Sequence, residues 1–288
     1  MFQQEAARVC KQSKMTGTLH SRLFQASAAA ALVVIILGLG YLGTRGEPPT
    51  GNSPVEKLRI ALPVVPDAAL VHVAAAKGYF AEEGLDVSIL PEKYGVAAIG
   101  DVRQGKADLA VAAEVPFVIS VMNGDALGMV ASLVSVSNNN AIIGRRDHAI
   151  AAAGDLAGKK IGVSFGTSGS YFLWVFLARH KLSPDSIVLV DLPPDRIVGA
   201  LANGSVDAVA TWQPISFEAQ AVLGKNALSF TEADAYRTSF AVFGQREFLQ
   251  GHANAIEKLV RAMLKAERFM LSHPEETLNL VAAWLKID

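Results

Sequence analysis

The sequence predicts an α/β protein of two similar lobes, and three observations carry that prediction. From Lys57 onward, apolar runs of strand length alternate with longer stretches of helical periodicity, the pattern of a sheet covered by helices. Two strand starts look alike, RIALPV at residues 59–64 and KIGVSF at 160–165, and so do two later turns, QGKADLAV at 104–111 and NGSVDAVA at 203–210. The spacings agree as well: 49 residues separate Arg59 from Asp108, and 47 separate Lys160 from Asp207. With 288 residues the chain is long enough for two lobes and a leader.

Composition removes several function classes. Hydrophobic residues make up 51% and charged residues 18%, which excludes a disordered or collagen-like chain. The net charge of −1 gives no basic excess for nucleic acid. Cys10 is the only cysteine, and the six histidines have no pair at three- or four-residue spacing. No metal site and no cofactor are therefore expected.

Taken in order, the first element is apolar. Between Arg22 and Arg45 lie 22 uncharged residues, enough helix to span about 30 Å of hydrocarbon. Arg8, Lys11, Lys14 and Arg22 stand before it against Glu5 alone, whereas only Arg45 and Glu47 follow closely. By the positive-inside rule, residues 1–46 form a cytoplasmic N-terminus and a transmembrane or signal helix, with the inner membrane crossed by residues 23–44. The length of the stretch and the lack of an A-x-A site favour an anchor over a cleaved signal. The Pro-rich residues 47–56 read as a linker.

Each repeat then supplies a strand, a glycine-closed helix, a tight turn and an aspartate opening the next strand. In open α/β sheets ligands sit beyond the carboxyl ends of strands, which selects the loops 63–67, 113–116, 164–170 and 211–214. The segment Gly166-Thr167-Ser168-Gly169-Ser170 follows a strand and opens the apolar helix around residues 171–178. Free backbone N–H groups, a positive helix end and three hydroxyls make Thr167, Ser168, Gly169 and Ser170 a receptor for an anionic group. Simple capping by Ser168 or Ser170 is the alternative. A nucleophile elbow is not supported, since Ser170 stands where GxSxG needs glycine. The Gly38–Gly43 match to GxGxxG lies inside the apolar segment, with no strand before it.

Glu114 ends an apolar strand and either caps the next helix or holds a cationic or N–H-bearing part of a ligand. Trp212 and Gln213 occupy the corresponding place in the second repeat, either as a stacking wall and a hydrogen-bonding arm or as plain packing. Asp67 either caps the first helix or reaches the ligand.

The stretches AAKGYFAEEGLDV (75–87), GKAD (105–108), DLAGKKIGV (155–163), GTS (166–168), GSVDA (204–208) and SHPEE (272–276) resemble the periplasmic substrate-binding proteins for nitrate, sulfonates, taurine and thiamine-pyrimidine precursors. The resemblance runs from Lys57 to the end of the chain. It implies a type II, venus-flytrap periplasmic-binding-protein fold: lobe 1 at 57–142, lobe 2 at 143–237 and a return to lobe 1 at 238–288. Crossovers are expected near Ala141–Ile142 and within residues 240–243. The implied function is solute capture for an ABC importer on the periplasmic side of the inner membrane, anchored or secreted, with permease and ATPase subunits as partners. Hinge closure rather than chemistry is the implied mechanism. The implied solute is small and anionic or zwitterionic, sulfonate- or taurine-like, nitrate-like or a pyrimidine, with the acid Glu114 counting against nitrate. The membrane tether leaves a ligand-sensing ectodomain as the alternative. The Cys-rich motif of the related pyrimidine-synthase enzymes is absent, which counts against that chemistry.

Overall fold

The structure is a computed structural model and describes residues 55–286. Cys10, the apolar segment at residues 23–44 and nearly all of the linker lie outside the described residues. No helix among the described residues is long and apolar enough to cross a membrane.

Among the described residues, ten strands form two five-stranded sheets. In chain order they are β1 (Glu56–Pro63), β2 (Leu85–Glu92), β3 (Leu109–Ala113), β4 (Leu127–Val136), β5 (Asn140–Arg145), β6 (Lys160–Val163), β7 (Val188–Asp191), β8 (Ala208–Trp212), β9 (Ala227–Phe230) and β10 (Thr238–Gln245). The first sheet has the order β2-β1-β3-β10-β4 and the second β7-β6-β8-β5-β9. The orders are the same once β1–β4 are matched to β6–β9. In each sheet three strands run parallel. The fourth is antiparallel and is the strand that follows a crossing from the other sheet.

Ten helices among the described residues cover the sheets. The short α1 (Ala69–Ala76) and α2 (Tyr79–Glu82) precede α3 (Gly95–Arg103), α4 (Glu114–Met122), α5 (Ser168–Arg179), α6 (Pro194–Ala202) and α7 (Ile215–Leu223). Then come α8 (Arg246–Gly251), α9 (Ala253–Ser272) and α10 (Pro274–Leu285), whose Pro274 sits at the first helical turn.

The central strands are largely apolar because both of their faces are covered, whereas the edge strands β2, β4, β7 and β9 alternate with exposed positions. Leu58, Ile60, Leu62, Leu109 and Val111 point into one core with Leu259 and Met263 of α9. The alternate residues Ala61, Ala110, Ala112 and Phe243 point into another with Val102 of α3. The second sheet divides in the same way, Ile161, Val163 and Ala210 packing on Phe172 and Phe176 of α5 while Val209 and Ile143 meet Ile197 and Leu201 of α6.

The repeat aspartates now have a physical role. Asp108 accepts the backbone N–H of Arg59 at 2.8 Å, and Asp207 accepts that of Lys160 at 2.7 Å. Each carboxylate clamps the neighbouring parallel strand one residue before the two begin to pair. Gly105 and Gly204, three residues before, carry φ of 70° and 76°, the left-handed conformation that ends a helix at little cost only for glycine.

The chain leaves the first sheet after Val136 and enters the second at Asn140; it returns between Phe230 and Thr238. The crossings are thus residues 137–139 and 231–237, earlier than the positions read from sequence. Ala141–Ile142 and residues 240–243 lie inside β5 and β10, where their apolar side chains belong to the sheets. Asn140 Nδ2 donates to Thr238 Oγ1 at 2.6 Å and ties the two crossings together.

Candidate functional site

The carboxyl ends of the central strands face each other across a cleft lined by Val65, Tyr94, Pro116, Ser168, Trp212 and Phe240, among others. Three helix N-termini open onto it: α3 through Tyr94 and Gly95, α4 through Ala113 and Pro116, and α5 through Thr167 and Ser168. Helix N-termini carry partial positive charge and N–H groups without intrahelical acceptors. No Lys, Arg, Asp or Glu lines this space. Its polarity therefore comes from backbone, and its walls are largely aromatic and aliphatic.

The α5 terminus is built tightly. Gly169 lies so close to β8 that a Cβ there would stand 3.0 Å from the Ala210 carbonyl oxygen and from Thr211 Cα. Thr167, rather than either serine, is the cap: its Oγ1 accepts the N–H of Ser170 at 3.4 Å and donates to the Ser164 carbonyl at 2.7 Å. Ser170 Oγ in turn donates to the Thr167 carbonyl at 2.8 Å. Two of the three hydroxyls assigned to a ligand are thus spent on the turn itself. Ser168 makes no side-chain hydrogen bond among the described residues and lines the cleft. The N–H groups of Ser168 and Gly169 precede the first intrahelical bond, which Tyr171 makes to Thr167.

Trp212 is 8% exposed and meets Tyr94 of the opposite lobe edge to face, centroids 6.4 Å apart. Burial, with Asp195 and Glu218 nearby, pushes the Tyr94 phenol above its ordinary range and keeps it a neutral donor. Lys93 and Asp195 form an exposed ion pair at 3.6 Å across the same lip.

Glu114 and Gln213 take a different part. Each stands six residues after its repeat aspartate, and each turns to a crossing rather than into the cleft. Glu114 accepts the Tyr236 hydroxyl with one oxygen and the Ser239 N–H at 2.7 Å with the other. Burial and this carboxylate hold the Tyr236 phenol far above its usual range, so it remains a donor. Gln213 donates its side-chain amide to the Asn138 carbonyl at 3.3 Å and its N–H to that of Asn139 at 2.9 Å. Glu114 is moreover the first residue of α4, not its cap. Asp67 sits in the short helical turn Pro66–Ala68, makes no side-chain cap bond, and burial raises its carboxyl above the usual carboxylate range.

Of the eight residues singled out from sequence, the cleft therefore brings together Thr167, Ser168 and Trp212, with Gly169 fixing their helix. Pro116 stands in the loop 113–116 selected from sequence, whereas Tyr94 and Phe240 were missed. The signal for Tyr94 was a glycine at the next position: a Cβ on Gly95 would meet Ala112 Cβ at 2.8 Å, so that helix start is pressed onto β3. Among the described residues no three His, Cys, Asp or Glu side chains gather as a metal site.

A family described as NMT1/THI5 like matches residues 65–277. A Bacillus subtilis (strain 168) protein named, provisionally, an aliphatic sulfonates-binding protein is 26% identical over 267 residues, covering 90% of this chain and 77% of its own. The alkanesulfonate-binding protein SsuA from Xanthomonas axonopodis pv. citri, solved bound to MOPS, superposes with a TM-score of 0.69 at 18% identity, covering 82% of each chain. The periplasmic nitrate-binding protein NrtA from Synechocystis PCC 6803 gives 0.65 at 17% identity, over 82% of this chain and 69% of its own. The two-sheet α/β fold is the one these binding proteins share.

Proposed function

Because the chain belongs to the NMT1/THI5-like family, we propose that it is the solute-binding component of an ABC importer, capturing a small organic anion between its two lobes. The observation that carries this reading is the convergence of three helix N-termini on a cleft with no charged lining residue. Such a site attracts negative charge through fixed backbone dipoles, while Tyr94 and Trp212 offer faces to an apolar body. A sulfonate on an alkyl or zwitterionic chain has that shape, and it is the ligand class named for the Bacillus relative. The solute would be handed to a permease driven by an ATPase, with the lobes on the periplasmic side and residues 23–44 at the inner membrane.

Thermal shift against ethanesulfonate, taurine, nitrate and a pyrimidine tests the reading. A ligand at 100 times its Kd adds about 2.7 kcal/mol to stability. Ser168→Ala removes one hydrogen bond and is expected to weaken binding by about 0.5–1.5 kcal/mol. Ser168→Asp places a carboxylate where the anion sits and is expected to abolish it. Tight sulfonate binding by Ser168→Asp would place the anion elsewhere.

A further inference from the structure

The turn at residues 165–170 borders a second, larger hollow. Thr167 and Ser168 line the cleft, whereas Gly166 and Ser170 line a space of about 580 Å³ between α4 and α5. Ile119 of α4 marks the boundary, its Cδ1 lying 3.8 Å from where a Cβ on Gly166 would stand. That volume falls in the range of small-molecule sites, roughly 300–1,000 Å³.

Its two walls differ in kind. Val118, Ile119 and Met122 of α4 make one aliphatic side; Phe165, Tyr171 and Trp174 make an aromatic side opposite. All six are exposed large hydrophobic side chains, Met122 at 80%. Six neighbouring apolar side chains left open to water are what a binding surface presents. Two further residues decide the ligand's charge. Glu114, the one acid in the lining, has both oxygens occupied by Tyr236 and Ser239. Arg237 is exposed and makes no ion pair among the described residues; its contacts are Ser135 Oγ and the Ser135 carbonyl, each at a long 3.4 Å. A guanidinium so placed is free to take a sulfonate or carboxylate with its planar fork.

We propose that this hollow is a second ligand site between the lobes, distinct from the cleft at the strand ends, and that it takes a flat apolar organic anion: a ring system between the aliphatic and aromatic walls, with its anionic group on Arg237. The aliphatic wall belongs to the first lobe and the aromatic wall to the second, so an occupant spans both.

The test is calorimetric titration of the full-length chain with 2-naphthalenesulfonate, with neutral 2-naphthol as comparator. Trp174→Ala and Phe165→Ala are expected to weaken 2-naphthalenesulfonate at least tenfold. Arg237→Gln is expected to weaken it several-fold, leaving 2-naphthol within twofold. Ser168→Asp, which blocks the cleft, is expected to leave both unchanged, so loss of the cleft reading and loss of this one are separable. Circular dichroism checks that the exposed truncations leave the fold intact; Met122→Lys tests the other wall should an aromatic variant unfold. Absence of saturable binding, indifference to both wall variants and to Arg237→Gln, or loss of binding in Ser168→Asp would each overturn the proposal.

Discussion

Asp67 and Glu114 are both acids near the strand ends, and the structure gives them opposite energetic signs. Burial raises the Asp67 carboxyl, so the folded chain binds its proton more readily than the unfolded chain does. Between the ordinary Asp value and the raised one, stability then falls as pH rises, and the penalty is fully present above that window. Asp67→Asn is expected to raise the melting temperature at pH 7, with a gain that shrinks toward pH 4; an equal gain at both would exclude titration as the cause. Glu114 instead satisfies two donors. Glu114→Gln keeps the shape but weakens bonds to a charged acceptor, at a cost of about 1–3 kcal/mol, read by urea denaturation. Its effect on affinity should be the same factor for taurine and for ethanesulfonate, since the carboxylate faces the crossing. Selective loss of taurine would show that Glu114 meets the ligand's ammonium.

At the scale of elements, the N-terminus of α5 depends on a close approach to β8 as well as on the capping hydroxyls of Thr167 and Ser170. Gly169→Ala would drive a methyl group against the backbone of Ala210 and Thr211, which cannot swing aside as a side chain can. Overpacking of this kind costs about 1–3 kcal/mol. Because the helix start must move off β8, sulfonate affinity should fall further than Ser168→Ala lowers it; calorimetry on both variants makes the comparison. The strands were legible in the sequence because both sheet faces are covered and apolar residues run unbroken, as in LAVAA of β3 and AVATW of β8. The repeat was legible because Asp108 and Asp207 do one job at one spacing. What stayed hidden lies between residues far apart: Glu114 finds Tyr236 122 positions away, and Gln213 finds Asn138 75 positions away. No local pattern distinguishes a carboxylate aimed at a ligand from one aimed at a distant strand. Thr167 and Ser170 differ, since their mutual capping is a three-residue pattern that the sequence carried openly.

For the whole molecule, the quantity that matters is the angle between lobes. The cleft leaves about 40 Å³ among its lining residues, far below the roughly 300–1,000 Å³ of small-molecule sites. An alkanesulfonate is several times larger, so entry requires the lips to part. The contacts that hold them are weak. The Tyr94–Trp212 pair is worth about 0.5–1.5 kcal/mol, and the exposed Lys93–Asp195 pair about 0–1 kcal/mol. Contacts of this size at the lip do little to hold it shut, and a ligand touching both lobes shifts the balance by its differential affinity alone. Lys93 and Asp195 face each other across the lip and suit a distance measurement, because Cys10 is the sole native cysteine and Cys10→Ser clears the background. Spin labels on Lys93→Cys and Asp195→Cys are expected to give a broad distribution with a long-distance component without solute. Saturating ethanesulfonate should collapse it to the short distance, while Ser168→Asp should keep it broad at the same concentration. A distribution that ethanesulfonate leaves unchanged, in a protein shown by calorimetry to bind it, would mean that the solute is taken up without hinge closure.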